Sequence, residues 1–127
     1  MVLIDSSVWI EFFRTKTTSI GDRVEDLLDA NEAALCGVVE MEILHGLRPH
    51  EQKKISALFK VLPYIETERQ DFIEAGLQLA KLRSTGITIP ATDALIGTIC
   101  LRRNFSLFSL DKHFDHFIEL KCFKSLC

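Results

Sequence analysis

The sequence predicts an α/β protein: a three-layer α/β/α sandwich around a five-stranded, mostly parallel sheet, carried by a single domain over residues 1–127. Three observations predict it. Short apolar runs alternate with longer stretches whose apolar residues recur every three or four positions, the signature of βα units. Two of the short runs, Val2-Leu3-Ile4 and Leu107-Phe108-Ser109-Leu110, lead directly into aspartates, Asp5 and Asp111, as neighbouring strands do at the ligand-binding edge of an open α/β sheet. At 127 residues, 47% of them hydrophobic, the chain can build one buried core.

Val2 to Asp5 reads as the first strand. Ser6 or Ser7, both competent N-caps, starts a short aromatic-rich helix from Ser7 to Phe13, and Arg14 to Ser19 is a polar loop. Ile20, Val24, Leu27 and Leu28 share one face of an amphipathic helix that ends near Asn31, with Asp22, Arg23, Glu25 and Asp26 mostly outward. Ala33 to Cys36 is the second strand. Val38 to Leu47 is a helix stopped by Gly46 and Pro49, with Glu42 in its middle.

Ile55, Leu58 and Phe59 mark the next helix, whose other face carries Lys53, Lys54 and Lys60, and Val61 to Ile65 is assigned to a third strand. Thr67 and Gln70 have capping-box spacing at the start of a helix running to about Ser84. Its inner stripe is Phe72, Ile73, Gly76, Leu77 and Ala80, and Thr85-Gly86 breaks it. Pro90 to Arg103 is apolar around most of its circumference, which makes it the central buried helix, and Asp93 lies in its first turn. Ser106 to Ser109 and Phe117 to Leu120 are the fourth and fifth strands, separated by a short helical turn around Lys112 to Asp115.

Composition removes several classes of function. The apolar stretches fall far short of the roughly 20 residues needed to span a bilayer, and Met1-Val2-Leu3-Ile4-Asp5 contains no basic leader, so no membrane association and a cytoplasmic address are expected. Cys36, Cys100, Cys122 and Cys127 form no Cys-x-x-Cys pair and read as reduced thiols, with Cys36 and Cys100 in the core and Cys127 exposed. A formal charge of −3 argues at first against a nucleic-acid partner. With four acids neutralised by bound metal, however, Arg14, Lys16, Lys53, Lys54, Arg102 and Arg103 leave a balanced to slightly basic surface.

Those four acids are Asp5, Glu42, Asp93 and Asp111, each placed where a strand or helix meets a turn or faces one. Singly, each has a bland reading: Asp5 as a cap, Glu42 as a solvated helix residue, Asp93 as compensation of the helix dipole, Asp111 as a turn starter. Jointly they converge, because the ends of strands one and four and the start of the central helix meet at the topological switch point. Four carboxylates within several Å repel strongly and raise each other's pKa, which a bound cation relieves. Oxygen ligands without cysteines or paired histidines select Mg²⁺ or Mn²⁺, and such ions commonly bridge protein carboxylates to a substrate phosphate. That chemistry points to phosphodiester hydrolysis.

The segments Asp5-Ser6-Ser7-Val8-Trp9-Ile10, Glu42-Ile43-Leu44-His45-Gly46, Thr92-Asp93-Ala94-Leu95-Ile96 and Ser109-Leu110-Asp111 resemble the PIN-domain ribonucleases along the whole chain. Size and motif order are most similar to the VapC branch, the toxins of toxin–antitoxin pairs. The resemblance implies that Asp5, Glu42, Asp93 and Asp111 bind Mg²⁺ or Mn²⁺. It implies a domain that hydrolyses RNA, with tRNA and other structured RNA as targets, a cognate antitoxin that fills the active-site groove, and a homodimer. The alternative is a PIN fold that binds RNA or protein without cutting, which an incomplete acidic set would favour. A haloacid-dehalogenase-type phosphatase needs a second Asp where Ser7 stands, and a phospho-receiver domain needs an acidic pair after strand one.

Around this set, Glu40 is turned about 200° from Glu42 on a helix and cannot share its metal. Ser6 and Ser109 are candidates to orient a water or an acid, and Asp115 is either a further ligand or a solvated turn residue. Arg14 and Lys16 are candidate phosphate contacts. His45, His113 and His116 read as ordinary surface histidines, and Trp9, with Phe12 and Phe13, as packing or interface.

Overall fold

The computed structural model describes residues 1–14, 18–117 and 120, and the backbone of 122–123. In chain order the elements are β1 (Val2–Ile4), α1 (Ser6–Arg14), α2 (Ser19–Asp29), β2 (Ala33–Cys36), α3 (Gly37–Gly46), α4 (Pro49–Lys60), β3 (Tyr64–Ile65), α5 (Arg69–Ser84), α6 (Ala91–Arg103), β4 (Ser106–Phe108), a 3₁₀ helix (Lys112–His116) and β5 (Cys122–Phe123). The strands form one five-stranded sheet in the order β3-β2-β1-β4-β5. Every pairing among the described residues is parallel, in keeping with the mostly parallel sheet expected.

β1 sits at the centre because Val2, Leu3 and Ile4 are all apolar and all buried, as a parallel strand covered on both faces requires. From β1 the chain steps outward through β2 to β3, then returns to the other side for β4 and β5. Right-handed crossovers therefore place α1 to α4 on one face and α5 with α6 on the other. Residues Asp93 to Cys100 of α6 are buried without interruption, which makes it the central helix the sequence indicated. On the opposite face Trp9 packs on Phe12, Phe13 and Phe59 with ring centroids 6.0, 5.7 and 5.5 Å away, tying α1 to α4. Trp9 is thus packing, and Cys36 and Cys100 are buried free thiols; Cys127 lies outside the described residues.

Three elements differ from the sequence reading. Val61 does not begin β3: it caps α4, its N–H bonding Leu58 and Phe59 carbonyls, and it is exposed. The fifth strand falls at Cys122–Phe123; of the expected span Phe117 to Leu120, residues 118 and 119 lie outside the described residues, and Leu120 N–H donates to the Phe117 carbonyl at 3.0 Å. The Phe117 ring packs over Gly97, where a Cβ would stand 3.0 Å from the ring, so Phe117 is held against α6.

The largest difference concerns α5. Its cap is Glu68 with Asp71, not Thr67 with Gln70, and the expected inner stripe is largely outside: Phe72, Ile73 and Leu77 are 57, 43 and 66% exposed. The helix instead turns Asp71, Ala75 and Leu82 inward. An ionic tie selects that face. The fully buried Asp71 carboxylate accepts Arg102 Nη1 at 2.7 Å and Arg103 Nη1 and Nη2 at 2.9 Å each, as well as the Glu68 backbone N–H at 2.7 Å. Burial alone would raise the Asp71 pKa, but the hydrogen bonds from Arg103, Arg102 and the backbone outweigh it and hold the carboxyl well below the usual range. Arg102 also reaches Glu74 at 2.9 Å, and Arg103 reaches Glu68 at 3.1 Å. Neither arginine is the available surface cation that the charge balance supposed.

Asp71→Asn should destabilise the fold by about 3 kcal/mol, the lower end for breaking a buried ion pair, since both arginines keep some solvent contact. Denaturant unfolding at neutral pH measures it. Because the folded pKa of Asp71 is depressed, its contribution is present above the ordinary carboxylate range and is lost as pH falls through the folded value; the gap between wild type and variant should narrow in acid.

Candidate metal centre

The β1–β4 register builds the site. Ile4 pairs with Phe108, so the residues that follow, Asp5 and Ser109, leave the carboxyl ends of adjacent strands side by side, and Asp5 N–H bonds the Phe108 carbonyl at 2.9 Å. Asp5 is 3% exposed. Its Oδ2 accepts the Ser109 hydroxyl at 2.8 Å and the Ser7 hydroxyl at 2.8 Å. Each hydroxyl is itself oriented by a backbone N–H: Leu110 donates to Ser7 Oγ at 3.1 Å and Asp111 donates to Ser109 Oγ at 3.0 Å. With their acceptor sites engaged by the loop, both serines direct their protons to the carboxylate.

Sequence reasoning named Ser6 and Ser109 and passed over Ser7. Ser6 hydrogen-bonds Glu42 instead. Its neighbour Ser7 lies two residues after a strand-end Asp, a spacing at which a hydroxyl folds back onto the acid, and that was the legible signal.

Glu42 enters from α3, Asp93 from the first turn of α6, and Asp111 caps the 3₁₀ helix. Their charges are mutually felt. Burial raises the Glu42 pKa, the Asp5 and Asp93 carboxylates raise it further, the Ser6 hydrogen bond opposes them, and Asp111 adds a smaller upward push. Burial also raises Asp93; the His113 hydrogen bond opposes it, and Asp111 and Asp5 add to it. The structure therefore gathers acids from four separate segments at the switch point between β1 and β4.

His113 is the residue whose reading changes. Far from being an ordinary surface histidine, it places Nδ1 2.7 Å from Asp93 Oδ2 and 2.9 Å from Asp111 Oδ1. The Asp93 hydrogen bond is the main cause that raises its pKa. Its backbone N–H donates to Asp111 Oδ1 at 2.9 Å, the cap that starts the 3₁₀ helix, and a cap two residues before a histidine keeps that side chain near the capping acid. His45, His116 and Asp115 are exposed, and Asp115 is not among the clustered ligand atoms. Glu40 acts elsewhere: the Tyr64 hydroxyl is raised by burial and then by the Glu66 and Glu40 charges. Arg14 is exposed at the end of α1, and Lys16 lies outside the described residues.

These residues fit a divalent cation. Glu42 Oε1 is buried with no hydrogen-bond partner, and Glu42 and Asp93 have raised pKa values that a cation would lower again. Asp93, Asp111 and His113 each offer a donor atom, all within 4.8 Å of one another. The Cys36 thiol is pushed up by burial and contributes no thiolate, so the donors are carboxylate oxygens and one imidazole nitrogen.

The PIN domain family model matches residues 2–120. The chain is similar to ribonuclease VapC11 of Mycobacterium tuberculosis, 31% identical over 120 residues that cover 91% of this chain and 90% of that protein. It is also similar to ribonuclease VapC1 of Methanocaldococcus jannaschii, 25% identical over 123 residues, 96% of this chain and 82% of the other. In fold it is similar to a chain of VapBC2 from Rickettsia felis, crystallised with a DNA fragment from the promoter: TM-score 0.83, 19% identity, 98% of this chain and 99% of that one covered.

Two outcomes are expected of the centre. A raised carboxyl pKa favours the fold below the unfolded-state pKa, an advantage lost as pH rises through the folded value, so at neutral pH the ionised Glu42 costs stability. Glu42→Gln should raise the melting temperature of the EDTA-treated protein and abolish the further rise that Mn²⁺ gives wild type, as read by calorimetry. The double change Ser7→Ala, Ser109→Ala should weaken Mn²⁺ binding by about 10–100-fold in isothermal titration, the usual range for losing groups that orient a ligand.

Proposed function

The chain belongs to the PIN-domain family, and from that premise we propose that it is a metal-dependent ribonuclease, the toxin of a toxin–antitoxin pair. Asp5, Glu42, Asp93 and Asp111 are the proposed metal ligands, with Mg²⁺ or Mn²⁺ as the ion. The observation that carries the reading is the convergence itself. Asp93 and Asp111 offer ligand atoms within 4.8 Å of each other, the charges of Asp5, Asp93 and Asp111 all act on Glu42, and one buried Glu42 oxygen is left unpartnered. A fold assembles such repulsion where a cation is to be held.

When bound, the ion supplies charge neutralisation at the phosphodiester and lowers the pKa of the attacking water. The chain's part is positional. Ser7 and Ser109 hold Asp5 in one orientation, Ser6 holds Glu42, and the buried start of α6 fixes Asp93. With Arg102 and Arg103 engaged by Asp71, phosphate contact falls to Arg14, at the end of α1, and to Lys16. Structured RNA such as tRNA is the proposed target, and a cognate antitoxin the proposed partner, as the VapBC complexes of similar fold support.

A homodimer is part of the same proposal, supported by the exposed apolar side of α5 at Phe72, Ile73 and Leu77. We assign the nuclease domain to residues 1–127 and the protein to the cytoplasm; among the described residues no helix is long and apolar enough to cross a membrane.

Purified protein should cut total tRNA or single-stranded RNA with Mg²⁺ or Mn²⁺, lose activity in EDTA, and lose at least about 100-fold in Asp5→Asn. Equal activity in wild type and variant, or none in either, would remove the catalytic reading and leave RNA or protein binding without cleavage.

A further inference from the structure

His113 lies outside the acidic set, yet its imidazole stands inside the cluster. Its place is built rather than incidental. The Asp111 cap fixes its backbone, and the next residue, Phe114, is buried in the core, so the 3₁₀ helix carrying the imidazole is anchored on both sides. Nδ1 is 2.7 Å from Asp93 Oδ2 and 2.9 Å from Asp111 Oδ1. Adjacent ligands on an octahedral ion with bonds of about 2.1 Å are separated by about 3.0 Å, so both spacings match edges of one coordination polyhedron.

We propose that His113 Nδ1 is itself a metal ligand alongside Asp93 and Asp111, making the centre a mixed nitrogen–oxygen site that discriminates in favour of Mn²⁺ over Mg²⁺. The inference rests on the metal-dependent reading proposed above. Were His113 only a hydrogen-bond donor to the two acids, a cation entering between them would have to expel it. As a ligand it keeps its position and exchanges a proton for the metal. An imidazole nitrogen binds a first-row transition ion such as Mn²⁺ more readily than Mg²⁺, which holds to oxygen and water, so the histidine adds more affinity for Mn²⁺. His113 is half-exposed, which leaves the ion reachable from solvent.

The test is electron paramagnetic resonance of the EDTA-stripped, full-length protein titrated with Mn²⁺, with spin-echo detection of nitrogen hyperfine coupling. Wild type should show directly bound nitrogen, and His113→Ala should lose it. The variant's Mn²⁺ Kd should rise at least about 10-fold while its Mg²⁺ Kd, by calorimetry, changes by less than about 3-fold. His113→Asn, which offers an oxygen in the place of Nδ1, should lose the nitrogen signal but keep most of the Mn²⁺ affinity, which also separates ligand loss from misfolding. Mn²⁺ bound without nitrogen coupling, at an affinity His113→Ala leaves unchanged, overturns the ligand assignment and leaves the acidic centre standing. No Mn²⁺ binding by wild type overturns both.

Discussion

Ile4 and Phe108 face each other across β1 and β4, and the whole site depends on that register. A slip of one residue would turn Asp5 away from Ser109 and send alternate side chains of a doubly buried strand to the opposite face. The register is well determined because Leu3, Ile4, Leu107 and Phe108 are all fully buried. Packing in the sheet thus sets the position of a carboxylate that takes no part in that packing. The two serine hydroxyls then fix the orientation that the strands leave free.

The same structure carries a local electrostatic cost and offsets it through one helix. Asp93 stands in the first turn of α6, among the acids that repel it, and Arg102 and Arg103 stand in the last turn, clasped by Asp71. Between them lie seven consecutive buried residues, Ala94 to Cys100. Repulsion at one end therefore cannot be relieved by withdrawing the helix, since that would uncover its apolar length and break the ion pairs at the far end. Rigidity of this kind suits a ligand set, which loses affinity when its donors relax apart.

Much of this was legible in the sequence. Alternating apolar runs indicated the parallel sheet, Ala33 to Cys36 fell where β2 lies, and the convergence of Asp5, Asp93 and Asp111 followed from the topology. The illegible parts have physical causes. Apolar periodicity pointed to Phe72, Ile73 and Leu77 as the inner side of α5, but a buried carboxylate paired with two arginines thirty residues on decides the rotation, and no local pattern reports such a tie. Phe117 and Leu120 are in the core as strand residues would be, yet Phe117 packs on Gly97 of α6 and the sheet pairing falls later, at Cys122–Phe123. His113 looked solvated because its partners, apart from the capping Asp111, come from a helix twenty residues earlier.

The clasp on Asp71 also shapes how the molecule meets a polyanion at a distance. Two of its fifteen Lys and Arg side chains are held by carboxylates and the net charge is −3, so the surface carries no excess of cations to displace the condensed ions around a nucleic-acid strand. Affinity for an RNA substrate would then fall only gently as ionic strength rises, with a shallow slope of log K against log salt. Encounter would gain little from long-range steering, and recognition would rest on shape and contacts made after collision.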